Sequence, residues 1–465
     1  MIRLYLGNTT SDTDNRVSKL AQENNTVNHG LITCADDIVQ DGFYHTTIID
    51  ISRNELQKIT CDIELLDQPK ETYSTIYEYY KTLEWVQGNN YWQQLVLENK
   101  SFCIFPFINH SLKKNVSTVC CRSDVPITLT KDFNWENSTK MNKIRSNMLA
   151  GERVDYCKTC YSVEDAGLTS ARQSQTIDWA YRLGLDNIED ISYSKPVMYD
   201  VFPNNNCNQM CRMCKPDWSI LIQREQNITT SSSVTNWNYI DVKTAQVVYI
   251  AGGEPTAMIE FIKFLDRCIE NNRTDLEIRI NTNASKISEK LFKKLEYFSN
   301  IKFTVSIDGY HKANEYQRWL SDWKDVTTNI SRIVSNGHSV NFNITLSIYT
   351  VHSLADLIVY LDKHYNNHIV NISYASFENN ILDPFIIDYS INVIQNLETT
   401  IDLPVVQNNT QLKKFLIQAV DKMKNSTVDI KKLEQFFEYN DNLDAKRNSS
   451  LADYLPDLES KRKLL

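Results

Sequence analysis

From residue 196 to about 375 the chain alternates short apolar runs with longer stretches of helical spacing. The runs at 197–202, 247–251, 277–281, 302–307, 340–347 and 369–375 read as strands. Between them, 258–271, 288–297, 323–336 and 353–365 place apolar residues three and four apart, as one face of a helix does. Consecutive strand–helix units require a parallel sheet with crossover helices, either doubly wound or an open partial barrel. Functional residues are then expected at the carboxyl ends of the strands. Upstream, 101–109 and 116–121 read as the strands of a hairpin turning at 113–115, with Asn115 tolerating the left-handed turn position. A helix follows at 139–150, stopped by Gly151. Residues 1–95 read as a small α/β unit with strands at 2–6 and 46–51 and a helix at 72–85. Beyond residue 390 the pattern is helical and polar, as a solvated cap would be. The expected division is 1–95, 100–175, 195–390 and 391–465.

Charge narrows the function. Lys and Arg number 49 against 58 Asp and Glu, a net charge of −9, which is the wrong sign for a general nucleic-acid or membrane-surface protein. No apolar run approaches the roughly 18 residues of a membrane span, and the first residues break into polar ones before a signal sequence could form. A cytoplasmic protein is expected. There are 11 cysteines, most of them in two groups between Cys103 and Cys214. Clustered thiols in such a chain point to metal, not to disulfides. Cys34 and Cys61 stand apart and read as buried thiols.

The sharper group is Cys207-Asn208-Gln209-Met210-Cys211-Arg212-Met213-Cys214, directly after the first strand of the repeating units. Three thiolates at this spacing on one loop can hold three corners of a cubane iron–sulfur cluster and leave the fourth iron open. Structural zinc is the rival reading, but it needs four closed ligands, and no fourth Cys or His lies nearby in sequence.

With these cysteines the chain resembles the radical S-adenosylmethionine superfamily. The resemblance implies that Cys207, Cys211 and Cys214 bind a 4Fe–4S cluster whose open iron takes the amino and carboxylate groups of S-adenosylmethionine. It implies reductive cleavage to a 5′-deoxyadenosyl radical that removes a hydrogen atom from substrate. Met213 stands where the family often has an aromatic residue and can pack on adenine. The second strand ends in Ala251-Gly252-Gly253-Glu254-Pro255, similar to the family's GGEP motif, so these residues are expected to receive the cofactor's methionine end. Asn281, Thr282 and Asn283 after the third strand, and Ser306 and Asp308 after the fourth, match ribose- and carboxylate-contacting positions. Thr345 and Ser347 fit more weakly.

Cys103, Cys120, Cys157 and Cys160, with the hairpin and helix between them, resemble a twitch domain, the short relative of the SPASM domain. That implies a second, auxiliary 4Fe–4S cluster on these four cysteines, with Cys121 turned to the other face of its strand; four-cysteine zinc is the alternative. The likeness runs on through Glu164, Arg172 and the tail at 439–458, although a twitch domain usually follows the barrel instead of preceding it. The expected fold is therefore α/β: a partial (β/α)6 barrel preceded by a twitch-type cluster domain and an N-terminal α/β appendage. The expected activity is hydrogen-atom abstraction that oxidises or cross-links a peptide or small molecule, with a one-electron reductant such as flavodoxin or ferredoxin as partner. The rivals are an iron–sulfur electron carrier without cofactor cleavage and a zinc-stabilised binding module.

Overall fold

The computed structural model describes residues 2–6, 33–39, 42–51, 91–113, 116–123, 126–128, 134–165, 170–191, 195–228, 235–375 and 377–465. The helix expected at 72–85, Cys61 and Asn115 lie outside them. The chain divides into two compact units, residues 1–104 with 145–192 and residues 105–144 with 193–465.

In the first unit, β1 (Ile2–Leu6), β2 (Thr33–Val39) and β3 (Gly42–Ile51) form an antiparallel sheet in the order β1-β3-β2. Its helices include α1 (Tyr91–Glu98), α2 (Lys158–Asp165) and α3 (Ala171–Arg182). Arg172 is buried at the start of α3, and a buried guanidinium is costly unless paired. It is held by Glu164 through Nε at 2.8 Å and Nη2 at 2.7 Å, and it donates to the carbonyls of Val96, Asn99 and Phe102. A capping box between Ser170 and Gln173 starts the helix beside this pair.

The second unit is built on a nine-stranded sheet. Its strands are β4 (Asn109–Lys113), β5 (Val116–Thr118), β6 (Ile127–Thr128), β7 (Met198–Phe202), β8 (Val247–Ile250), β9 (Glu277–Thr282), β10 (Ile301–Ser306), β11 (Ser339–Leu346) and β12 (Val370–Tyr374). The order is β12-β11-β10-β9-β8-β7-β4-β5-β6. β7 to β12 are the six expected strands, parallel and in sequence order.

The hairpin departs from expectation. β4 and β5 pair antiparallel, but β4 also pairs in parallel with β7, Asn109 opposite Met198 through Lys113 opposite Phe202. It thereby extends the main sheet. The strand expected from 101 begins only at Asn109, because Phe105–Ile108 turns as a short helix with all four residues buried.

A parallel sheet covered on both faces reads as an unbroken apolar run. Here β10 and β11 alternate buried with more exposed positions. The apolar face, with Ile278, Ile280, Phe303, Val305, Phe342 and Ile344, packs into one core with α4 (Ile259–Glu270), α5 (Glu289–Leu295), α6 (Trp323–Ser335) and α7 (Leu354–Tyr365). Polar residues meet in the alternate register. Asp200 lies opposite Tyr249, Tyr249 opposite Arg279, and Arg279 opposite Lys302.

The tail is more than a solvated cap. α8 (Ile430–Arg447) buries Leu433, Phe436, Phe437 and Leu443, and with them Asn440 and Asp444. Among the described residues no helix is long and apolar enough to cross a membrane.

Candidate cofactor and cluster site

The loop after β7 carries Cys207, Cys211 and Cys214 to the wall of a single cavity of about 380 Å³. Gly252, Gly253 and Glu254 from the end of β8 line the same cavity. So do Asn281 and Thr282 at the end of β9, Asn283 just beyond it, Ser306 at the end of β10, and Met213. Pro255 is buried at the start of a 3₁₀ turn just outside it.

The loop is held by backbone. Met210 N–H donates to the Trp319 carbonyl at 3.0 Å, and Arg212 N–H to the Gln317 carbonyl at 2.7 Å. Glu254 N–H donates to the Asn206 carbonyl at 2.7 Å, tying the cysteine loop to the β8 turn. Gly253, at φ +55°, sits in that joint: a Cβ there would stand 2.3 Å from the Asn206 oxygen. Its missing side chain makes room for the protein's own loop, while its backbone lines the cavity. Gly252, at φ +89°, faces Phe202, which a Cβ would meet at 3.2 Å.

Glu254 is buried and braces the neighbouring strand end. Its Oε1 accepts from Thr256 N–H at 3.1 Å, Thr256 Oγ1 at 2.6 Å and Thr282 Oγ1 at 2.7 Å; Oε2 accepts from Asn283 N–H at 2.7 Å. Burial pushes its carboxyl above the usual range, and these four donors act against that shift. Oε1 is thus fully used, and Oε2 keeps capacity for one further donor. Asn283 Nδ2 reaches Asn208 Oδ1 at 2.8 Å, joining β9 to the cysteine loop, while Asn281 Nδ2 donates to the Tyr249 hydroxyl at 2.7 Å.

Asp308 sits behind the cavity wall. It is fully buried, its Oδ1 accepting Thr345 N–H at 2.8 Å and its Oδ2 accepting Gln317 Nε2 at 2.7 Å. Oδ2 also pairs with Arg318 Nε at 2.7 Å. Arg318, not Asp308, lines the cavity. Ser347 donates to Gln317 Oε1 in the same layer.

Arg212, which sequence reasoning passed over as a spacer between ligands, is fully buried. Its Nε donates to the Tyr316 carbonyl at 2.9 Å, Nη1 to Asn440 Oδ1 at 3.2 Å, and Nη2 to Asp444 Oδ1 at 2.6 Å. Tyr439 donates to the Arg212 carbonyl at 2.5 Å, and Arg447 pairs with Glu225 at 2.7 Å. The cysteine loop is therefore anchored by α8. The available signal was an arginine inside a cysteine motif, a residue that needs a carboxylate once buried.

The donor set fits a cluster with an open corner. Burial pushes the Cys207 and Cys214 thiols up to about 12, and Cys211 upward as well. Bound iron reverses this preference by taking thiolates. Gln209 Nε2, buried on the cavity wall, has no acceptor among the described residues, a donor that a ligand acceptor would satisfy. Among the described residues no three His, Cys, Asp or Glu side chains are grouped to hold a single metal ion.

The other cysteines are distributed differently. Cys103, Cys157 and Cys160 belong to the first unit, Cys120 to the second. Cys103 and Cys157 are buried, and both act on the Tyr161 hydroxyl, whose pKa burial and Cys157 push up to about 12. Cys120 and Cys121 follow β5 instead of lying on it, so strand alternation does not turn Cys121 away. Its N–H donates to Asp200 Oδ2 at 3.1 Å.

No curated protein matches this chain in sequence. Among solved structures it is similar to native anSMEcpe with bound AdoMet, at 17% identity and a TM-score of 0.33, covering 44% of this chain and 60% of that one. The chain thus spans about three fifths of the length of that relative. It is also similar to Streptococcus suis SuiB bound to S-adenosylmethionine, at 13% identity, TM-score 0.31 and 69% of each chain. A third is TsrM of Kitasatospora setae, a radical S-adenosylmethionine methyltransferase with cobalamin and a [4Fe–4S] cluster bound, at 12% identity, TM-score 0.28, covering 40% of this chain and 38% of that one. Residues 201–361, which include the cysteine loop, the Gly252–Gly253 turn and Arg318, match the model of the Radical SAM superfamily.

Proposed function

We propose that the chain is a radical S-adenosylmethionine enzyme whose catalytic centre is the cavity between the cysteine loop and the ends of β8 to β10. One observation carries the reading: three cysteines and a Gly-Gly turn from a different strand line the same cavity. Cys207, Cys211 and Cys214 would hold a 4Fe–4S cluster, and Gly252, Gly253, Glu254, Asn281, Asn283 and Ser306 would hold S-adenosylmethionine. When bound, the pair supplies reductive carbon–sulfur cleavage and a hydrogen-abstracting radical. The chain's own part is positional. Glu254 Oε2 offers an acceptor to an ammonium group, Met213 an apolar surface, and the Asn208–Asn283 bond keeps the two walls in register. The substrate would be a peptide or small molecule, which the reaction would oxidise or cross-link. A cytoplasmic ferredoxin or flavodoxin would supply electrons.

An auxiliary 4Fe–4S cluster with Cys103, Cys157 and Cys160 of the first unit among its ligands belongs to the same proposal. It is supported by the motif and by the shared neighbourhood of Cys103 and Cys157 around Tyr161.

The test is anaerobic reconstitution, reduction with dithionite and measurement of 5′-deoxyadenosine. Cys207→Ala, Cys211→Ala and Cys214→Ala are each expected to abolish its formation. Cys268→Ala, in the apolar core on α4, is expected to retain it. Normal yield from any of the three loop variants would overturn the assignment.

A further inference from the structure

The geometry points to Arg318 as a positioning residue that donates a hydrogen bond to the Cys211 sulfur and thereby sets the reduction potential of the cluster held there. The inference rests on the cluster reading of the cavity. Arg318 follows the helix Lys312–Gln317, and its N–H donates to the Asn314 carbonyl at 2.8 Å. Its guanidinium is fixed from behind. Nε pairs with Asp308 Oδ2 at 2.7 Å, and that carboxylate is fully buried with both oxygens already engaged, by Thr345 N–H and by Gln317 Nε2. The forward end reaches the cysteine loop, with Nη1 3.9 Å from Cys211 Sγ. The side chain is one-tenth exposed, and the exposed part lines the cavity.

Two features decide the role. First, the Asp308 carboxylate balances the guanidinium charge, so what the cysteine feels is mainly an oriented N–H. Second, the orientation is set by buried protein groups on the far side, so it is present before any ligand arrives. A donor to a ligand sulfur stabilises the more negative, reduced state of an iron–sulfur cluster and raises its potential. Sulfur is a weak acceptor as a thiol and a strong one as a thiolate.

The experiment is an EPR-monitored redox titration of the anaerobically reconstituted full chain, comparing wild type with Arg318→Met and Arg318→Lys. S-Adenosylmethionine affinity is measured in parallel by equilibrium binding. In Arg318→Met the ratio of reduced to oxidised cluster at a fixed potential is expected to fall about tenfold, a downward shift of about 59 mV for one electron. Arg318→Lys retains a charge but not the planar fork, so its shift should be smaller and of the same sign. A midpoint unchanged in either variant that still holds its iron overturns the inference. Unchanged potential with weakened S-adenosylmethionine binding does so too, and assigns Arg318 to the cofactor's carboxylate instead. If wild type itself assembles no cluster, the reading of the cavity falls, an outcome visible without any variant.

Discussion

The guanidinium of Arg212 lies 3.6 Å from the centre of the Tyr316 ring, and both side chains are bound to the same carboxylate. Arg212 Nη2 takes Asp444 Oδ1 at 2.6 Å and the Tyr316 hydroxyl donates to Asp444 Oδ2 at 2.8 Å. Asn440, one helical turn earlier, accepts from Arg212 Nη1 and Tyr349, and its Oδ1 lies 3.0 Å from the Tyr316 oxygen. A residue between two cysteines is thus the centre of a buried polar network reaching α8.

Breaking that network by removing one partner leaves a charge buried and unpaired. Asp444→Ala is expected to lower the unfolding free energy by about 3–5 kcal/mol, read by urea denaturation. The double variant Arg212→Met with Asp444→Leu should recover most of the loss, because apolar replacements of similar volume remove the unpaired charge. A double variant as unstable as Asp444→Ala would contradict this account.

Gly253→Ala separates a structural joint from a ligand contact. With a Cβ at 2.3 Å from the Asn206 oxygen and a positive φ, alanine cannot be seated without moving the cysteine loop. A loss of at least about 2 kcal/mol is expected, together with reduced iron on reconstitution. Full iron content with only S-adenosylmethionine binding lost would show that the glycine serves the cofactor alone.

Asp200 gives a pH dependence with a definite sign. Burial raises its carboxyl from 3.8 to about 6, against hydrogen bonds from Asn109 and Cys121. The folded state therefore holds a proton that the unfolded chain has released between those values, and stability falls as pH rises from about 4 to 6. Asp200→Asn removes this effect and is expected to be more stable than wild type by about 3 kcal/mol above pH 6. The advantage should vanish below about pH 4. Denaturation at pH 8 and pH 4 checks it; an equal difference at both would show that Asp200 does not titrate in this way.

The auxiliary-cluster reading makes a stoichiometric prediction. Cys157→Ala with Cys160→Ala should reduce iron from about eight to about four per chain on the two-cubane count, while 5′-deoxyadenosine still forms. Iron analysis after anaerobic reconstitution decides it, and unchanged iron would remove these cysteines from any cluster.

How legible all this is in the chain depends on distance. The six strands β7 to β12 are readable because each is a short apolar or alternating run between stretches of helical spacing, Val-Val-Tyr-Ile in β8 and Ile-Lys-Phe-Thr-Val-Ser in β10 being examples. The cavity's glycines, cysteines and asparagines are readable because they occupy strand ends, where the connections of a parallel sheet converge. What resists reading is pairing. Nothing in Asn109–Lys113 announces that its partner is β7, and the hairpin looks self-sufficient as a result. Asn440 and Asp444 look like a solvated helix face until Arg212 is placed against them. Arg318, unmentioned by the motifs, stands at the wall for a similar reason: the Asp308 carboxylate has a strand-end motif, but it is buried behind the guanidinium that pairs with it.

The anchor of the cysteine loop lies far downstream. Asp444 is 232 residues beyond Arg212, and at about 5–20 residues per second a ribosome needs roughly 10–50 s to travel that distance. Throughout that interval the three thiols are already synthesised, but the helix that clamps the loop does not exist. A chain cut short before α8 would keep the loop's backbone bonds to Gln317 and Trp319 but would leave the Arg212 guanidinium without the carboxylate that pairs with it in the finished protein.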